Sequence, residues 1–163
     1  MPSRRPNRLE EYDYSQAGAY FVTVCIQDRK QILSVIPAGD GFPIPKLCGQ
    51  IAQRIIQKIP EKYPCVTVDH YVIMPDHIHL LLRIKNSENG GTGNPSPTVG
   101  NIMGWYKYQT TKQINLAKNT PGERVFQRSY YDHVIRNQQD YNEAWEYIEN
   151  NPRKWGIMKQ GRD

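Results

Sequence analysis

Apolar and polar positions alternate along 19–26, AYFVTVCI, so that Tyr20, Val22, Val24 and Ile26 share one face of a predicted strand. Pro37, Gly39, Gly41, Pro43 and Pro45 then interrupt any regular pattern and predict a loop. From about Leu47 to Tyr63 the period changes: Ile51, Ile55 and Ile59 recur every fourth position with Ile56 beside them, which predicts an amphipathic helix ending near Pro64. Residues 65–74 and 77–84 read as two strands joined by the turn pair Pro75-Asp76. Residues 86–97, NSENGGTGNPSP, read as a flexible loop. A second helix is predicted from about Thr98 to Leu116, a strand over 125–136, and a last helix over 138–150 stopped at Pro152. The order β-α-β-β-α-β-α predicts an α+β fold of the ferredoxin-like or RRM-like kind. Its antiparallel sheet carries helices on one face and leaves the other open.

Length adds that 163 residues suit one domain, with a basic arm over about residues 1–8. The longest aliphatic run is Leu80-Leu81-Leu82, far short of the roughly 18 apolar residues of a spanning helix. The polar opening MPSRRPNRLEEYDYS does not resemble a secretion signal. Cys25, Cys48 and Cys65 are odd in number and widely spaced, which points to a reducing, cytoplasmic setting rather than a disulfide framework. His70 and Cys65 together are too few for a zinc site. The formal charge of +5 admits an anionic partner, and eleven of the aromatics are tyrosines, which can stack on bases. Within 101–136 six basic side chains face two acidic ones, whereas 137–152 holds four acidic and no basic residues. A cationic wall for a phosphate backbone would draw on Lys107, Lys112, Arg128 and Arg136, with Arg4 and Arg5 in the arm; two solvated helix faces of opposite sign explain the same counts.

His77-Ile78-His79 is the sharpest chemical feature. Ile78, Leu80, Leu82 and Ile84 define the core face of their strand, so both imidazoles project from the other face about 7 Å apart at the backbone. Two histidines at that spacing can share a divalent cation. On the last helix, Tyr141, Ala144, Trp145 and Ile148 form the predicted buried stripe. Tyr147 falls roughly 110° off that stripe, with Asn151 four residues further along its own face and acidic Glu143 nearby. A partly exposed tyrosine near a capping amide is the ordinary reading. The reactive one is a phenol that, once deprotonated with help from a metal or base, attacks phosphorus and conserves the ester for later strand transfer. Tyr130 and Tyr131 are alternative nucleophiles, only one of which a strand would turn toward the histidines. His133 has the bland role of orienting its strand.

M-P-D-H-I-H-L-L-L at 74–82, Q-R-S-Y-Y-D-H-V-I-R-N at 127–137 and Y-I-E-N-N-P at 147–152, together with N-P-S-P-T-V-G at 94–100, resemble the single-tyrosine HUH transposases, and among them the REP-associated tyrosine transposases. The likeness runs from about residue 9 to 157. It implies His77 and His79 as ligands of Mg²⁺ or Mn²⁺, Tyr147 as nucleophile, and Asn151 as the polar residue completing the metal site. Insertion-sequence relatives usually carry glutamine there, so Asn151 is a departure with a shorter reach. The implied activity is cleavage and rejoining of single-stranded hairpin DNA through a 5′-phosphotyrosine. The enzyme would be a bacterial, nucleoid-associated monomer or homodimer. A hairpin-binding protein without turnover and a metal-dependent phosphoesterase or nuclease are the rival readings. Against the last, the chain has one H-I-H and neither H-x-[ST] motif of the two-histidine phosphoesterases.

Overall fold

Alternation in β1 (Gly18–Cys25) sends Tyr20, Val22 and Val24 into the main core and Phe21 and Thr23 to the opposite face of the sheet. A computed structural model describes residues 18–37, 42–85 and 97–160, with side chains to Trp155. The predicted arm, with Arg4 and Arg5, and residues 86–96 of the predicted loop lie outside the described residues. After β1 come a short 3₁₀ turn (Gln27–Arg29), β2 (Ser34–Val35), β3 (Ile44–Pro45), α1 (Leu47–Lys62), β4 (Val66–Ile73), β5 (His77–Ile84), α2 (Val99–Lys118), β6 (Tyr131–Ile135) and α3 (Gln138–Gln160). The four long strands form one antiparallel sheet in the order β4-β5-β1-β6, and β2 and β3 make a separate two-stranded ribbon. Among the described residues no helix is long and apolar enough to cross a membrane.

The main core lies between this sheet and α1 and α2. Ile51, Ile55, Ile56 and Ile59 of α1 and Ile102, Met103, Tyr106 and Ile114 of α2 cover Tyr20, Val22, Val24, Ile78, Leu80, Leu82 and Ile84. Thr98 starts α2 with a reciprocal cap: its hydroxyl accepts from Asn101 N (3.0 Å) and its N–H donates to Asn101 Oδ1 (3.2 Å). Gly49 of α1 faces the chain just before β2, where an added Cβ would lie 2.0 Å from the Leu33 carbonyl oxygen. Backbone cannot yield there as a flexible side chain could. Gly49→Ala is therefore expected to destabilise the fold by about 3 kcal/mol, read as a lower urea midpoint. An unchanged midpoint would show that α1 and the ribbon are not packed this closely.

Expectations about three features are corrected, the first of them in two respects. The second sheet face is not open: Ala144 and Ile148 of α3 pack on Val72, Met74 and Leu81, with Phe21, Ile135, Tyr141 and Trp155 at the margin. Leu81 stands among the outward positions of β5 yet is fully buried, so that face needed an apolar cover. Trp145, placed in the buried stripe, is instead 38% exposed and stacks on His70 at 4.3 Å between centroids. Second, α3 does not stop at Pro152 but runs through it to Gln160. A proline withholds only its own N–H and crowds one earlier carbonyl, and Trp155 gives the continued helix an apolar contact. Third, only Tyr131–Ile135 of the predicted strand 125–136 pairs in the sheet. The preceding chain bridges at Phe126 to Ile26, with Gln127 N donating to Cys25 O (2.9 Å). The Lys107 ammonium then holds the carbonyls of Gln127 (2.6 Å) and Arg128 (2.9 Å).

Candidate active site

The first residue of β5 is His77, directly opposite Cys25 of β1, and His79 is opposite Thr23. Strand parity brings both imidazoles to the α3 face with ring centroids 4.6 Å apart. Their inner nitrogens are held. His77 Nδ1 lies 2.6 Å from Asp76 Oδ1, and because an ionised carboxylate only accepts, Nδ1 carries the proton and the Nε2 lone pair is left to the site. His79 Nδ1 lies 2.8 Å from Thr23 Oγ1, and its Nε2 is buried with no hydrogen-bond partner.

Both rings are buried, at 8% and 4% exposure. Burial pushes the His77 pKa down despite the opposing pull of Asp76. Burial, then the neighbouring His77 and Arg29, pushes His79 down to about 3. Both imidazoles are therefore neutral at physiological pH, the form that ligates metals. An orphaned buried Nε2, and a ring fixed through its other nitrogen, suit a cation site. Among the described residues no group of three or more His, Cys, Asp or Glu is arranged to hold a metal, so two histidines would need an amide, water or phosphate oxygen to complete a shell.

Tyr147 comes from α3 and is 46% exposed. Its ring meets His79 edge-on at 5.2 Å and Phe21 at 5.7 Å, while Phe21 stacks on His79 at 5.2 Å. These rings, with Thr23, His133, Asp140 and Glu143, border a cleft of about 250 Å³. Asn151 follows one helical turn later and is half-buried. The helix is moored at both sides of the sheet. Tyr141 Oη donates to Asp69 Oδ2 (2.7 Å), Glu149 lies 2.7 Å from His70 Nε2, and Asp140 lies 3.0 Å from His133 Nε2. His133 thus ties β6 to α3, and His70 is engaged at β4 rather than beside Cys65. Of the alternative tyrosines, Tyr131 is opposite Thr23 on the histidine face and 44% exposed, whereas Tyr130 packs against the main core.

The cationic candidates separate. Lys107, Lys112 and Arg128 line one groove of about 520 Å³ between α2 and residues 122–128, joined there by Arg124 and the exposed Tyr108. Lys107 is half-buried and tied to two carbonyls, so it builds the groove wall rather than offering a free ammonium. Arg136 stands elsewhere, at the β6–α3 junction, where its N–H donates to Asp140 (3.2 Å). Sequence reading missed Thr23, Asp76, Arg29 and Phe21. Thr23 and Phe21 were accessible from the outward parity of β1; Asp76 was read only as a turn residue.

Comparison with known proteins bears on the family and the fold. The family model described as "Transposase IS200 like" matches residues 18–151. An uncharacterized protein of Haemophilus influenzae is 32% identical over 165 residues, covering 93% of this chain and 89% of its own. A REP-associated tyrosine transposase of Escherichia coli K12 is 24% identical over 150 residues, covering 92% of this chain and 75% of that one. A solved REP-associated tyrosine transposase bound to a REP hairpin superposes with a TM-score of 0.60 at 22% identity, covering 91% of this chain and 74% of that one. A histidine pair with a tyrosine helix laid across the same sheet face, and a family match spanning nearly all the described strands and helices, lead to one assignment: the chain belongs to the IS200-like transposase family.

Proposed function

We propose that the chain acts as one HUH-type domain that cleaves and rejoins single-stranded hairpin DNA with Tyr147 as nucleophile. The carrying observation is the Tyr147 ring set edge-on to His79, whose Nε2 is buried and unpartnered beside the same cleft. In this reading the Nε2 atoms of His77 and His79, with Asn151, hold Mg²⁺ or Mn²⁺. Two imidazole donors suit Mn²⁺ better than Mg²⁺. The bound cation supplies Lewis acidity at the scissile phosphate. Tyr147 Oη loses its proton and bonds to phosphorus, the bond from phosphorus to the 3′ oxygen breaks, and that oxygen takes up a proton to leave as a hydroxyl. The 5′ end stays on the protein as a phosphotyrosine ester, so a 3′ hydroxyl can reverse the step without an external energy source. A REP hairpin in the solved relative, and the REP-associated names of the relatives, support a hairpin substrate.

The test is incubation with a single-stranded hairpin oligonucleotide and Mn²⁺, followed by denaturing electrophoresis and peptide mapping. A covalent adduct on Tyr147 is expected. Binding without cleavage would leave a hairpin-binding protein; cleavage without an adduct would make the attacking group a water.

The groove of Lys112, Arg124 and Arg128 is the proposed track for the DNA backbone, with Tyr108 as a stacking surface. Lys112→Ala and Arg128→Ala are each expected to weaken hairpin binding and to lower the dependence of log affinity on log salt by about one. Anisotropy titrations over a range of NaCl concentrations check this. Unaltered affinity and slope in both variants would place the backbone elsewhere.

A further inference from the structure

The 3₁₀ turn after β1 contains two successive non-glycine residues in left-handed conformation, Asp28 (φ 60) and Arg29 (φ 53). Each carries a steric penalty that glycine would avoid, and such outliers persist only where the surroundings over-determine them. The turn is docked on the loop that precedes β5. Ile26 N donates to Asp76 O (2.9 Å), Arg29 N donates to Ile26 O (2.9 Å), and Leu33 N donates to Pro75 O (3.0 Å). From this turn the Arg29 guanidinium spans three atoms. Nε donates to Asp76 Oδ2 (3.1 Å), Nη2 approaches Asp76 Oδ1 (3.4 Å), and Nη1 meets Cys25 Sγ (3.0 Å). Asp76, buried at 6% exposure, uses that same Oδ1 to accept from His77 Nδ1.

We infer that Arg29 is a positioning residue for His77: its forked contact fixes the Asp76 carboxylate, and the fixed carboxylate holds the His77 ring with the proton on Nδ1 and Nε2 turned to the cation site. The two histidines are supported differently. His79 leans on a hydroxyl of its own neighbouring strand, so its support comes with the sheet. His77 is the first residue of β5, where the ladder begins, and its support comes from the side chain of the residue just before it, which Arg29 holds from the other turn. A carboxylate alone can rotate. A carboxylate gripped by a planar two-point donor cannot, and lysine, with one charge centre and no fork, cannot replace that grip.

This inference rests on the metal-binding reading of the histidines, and the test separates the two. Arg29→Ala, Arg29→Lys and Arg29→Gly are compared with the unaltered chain. Glycine accepts the left-handed backbone without strain, so it removes the side chain while keeping the turn. Long-range ¹H–¹⁵N spectra of the metal-free proteins report which His77 nitrogen carries the proton, and electron paramagnetic resonance of free Mn²⁺ reports affinity without DNA or turnover. The unaltered chain is expected to show His77 as a single Nδ1–H tautomer. Arg29→Ala and Arg29→Gly are expected to show a mixture and to bind Mn²⁺ about tenfold more weakly, with Arg29→Lys between. Loss of thermal stability with the single tautomer and Mn²⁺ affinity retained would make Arg29 merely structural and overturn the inference. If the unaltered chain itself bound no Mn²⁺, the metal reading would fall, and the tautomer spectra would still decide whether Arg29 positions His77.

Discussion

Tyr147→Phe is expected to abolish the covalent protein–DNA adduct and lower cleavage by at least about a thousandfold, while hairpin affinity stays nearly unchanged. The substitution removes one oxygen and keeps the ring that packs against His79 and Phe21, so the cleft and the docking of α3 remain. Lys154 Nζ also stands 5.8 Å from the Tyr147 ring centroid, a cation–π contact that the phenylalanine ring keeps. Denaturing gels of the trapped species and mass spectrometry of the modified peptide measure both quantities. Tyr131 is the competitor that the structure sharpens, because it projects from the histidine face opposite Thr23. An adduct that persists in Tyr147→Phe and maps to Tyr131 would overturn the assignment. Tyr130 is the weaker rival, since it packs on the other side of the sheet.

How much of this was legible depended on how local the cause was. The position of the histidines was readable because Ile78, Leu80, Leu82 and Ile84 leave no doubt about which face of β5 is core, and register then carries His77 and His79 to the other side. The covering of that face by α3 was not readable. Val72, Met74 and Leu81 come from β4, the turn and β5, and only their assembly makes an apolar floor for Ala144 and Ile148. Pro152 was read by a local rule about proline, whereas the contact of Trp155 with that floor is tertiary. Arg29 and Asp76 are separated by 47 positions, and nothing in either neighbourhood announces the other. Pairing of Cys25 with His77 is what brings the two turns together. Lys107 shows the same limit in reverse: its charge was legible, but its engagement with the Gln127 and Arg128 carbonyls was not.

Metal binding and fold stability should move in opposite directions at His79. Its Nε2 is buried with no hydrogen-bond partner from the protein, and a buried unsatisfied polar atom costs about 1–3 kcal/mol. Among the described residues Nδ1 bonds Thr23 Oγ1, so the pair can be removed together without orphaning either partner. The double substitution Thr23→Val, His79→Leu is therefore expected to leave the metal-free protein at least as stable as the unaltered chain, while Mn²⁺ affinity and cleavage are lost. His77→Ala and His79→Ala alone should each lower Mn²⁺ affinity and cleavage in parallel, by at least about a hundredfold in cleavage, with partial recovery at high Mn²⁺. Asn151→Ala should be milder, because an amide is a weak donor that water can replace. Urea unfolding without metal, Mn²⁺ titration and adduct gels give the three readouts on the same preparations. A double variant that keeps Mn²⁺ affinity would show that the cation lies elsewhere. One that is strongly destabilised would show that the unpartnered nitrogen is not a cost the fold carries for its chemistry. An Asn151→Ala variant as impaired as His79→Ala would give the amide on α3 a share of the site equal to that of the strand histidines.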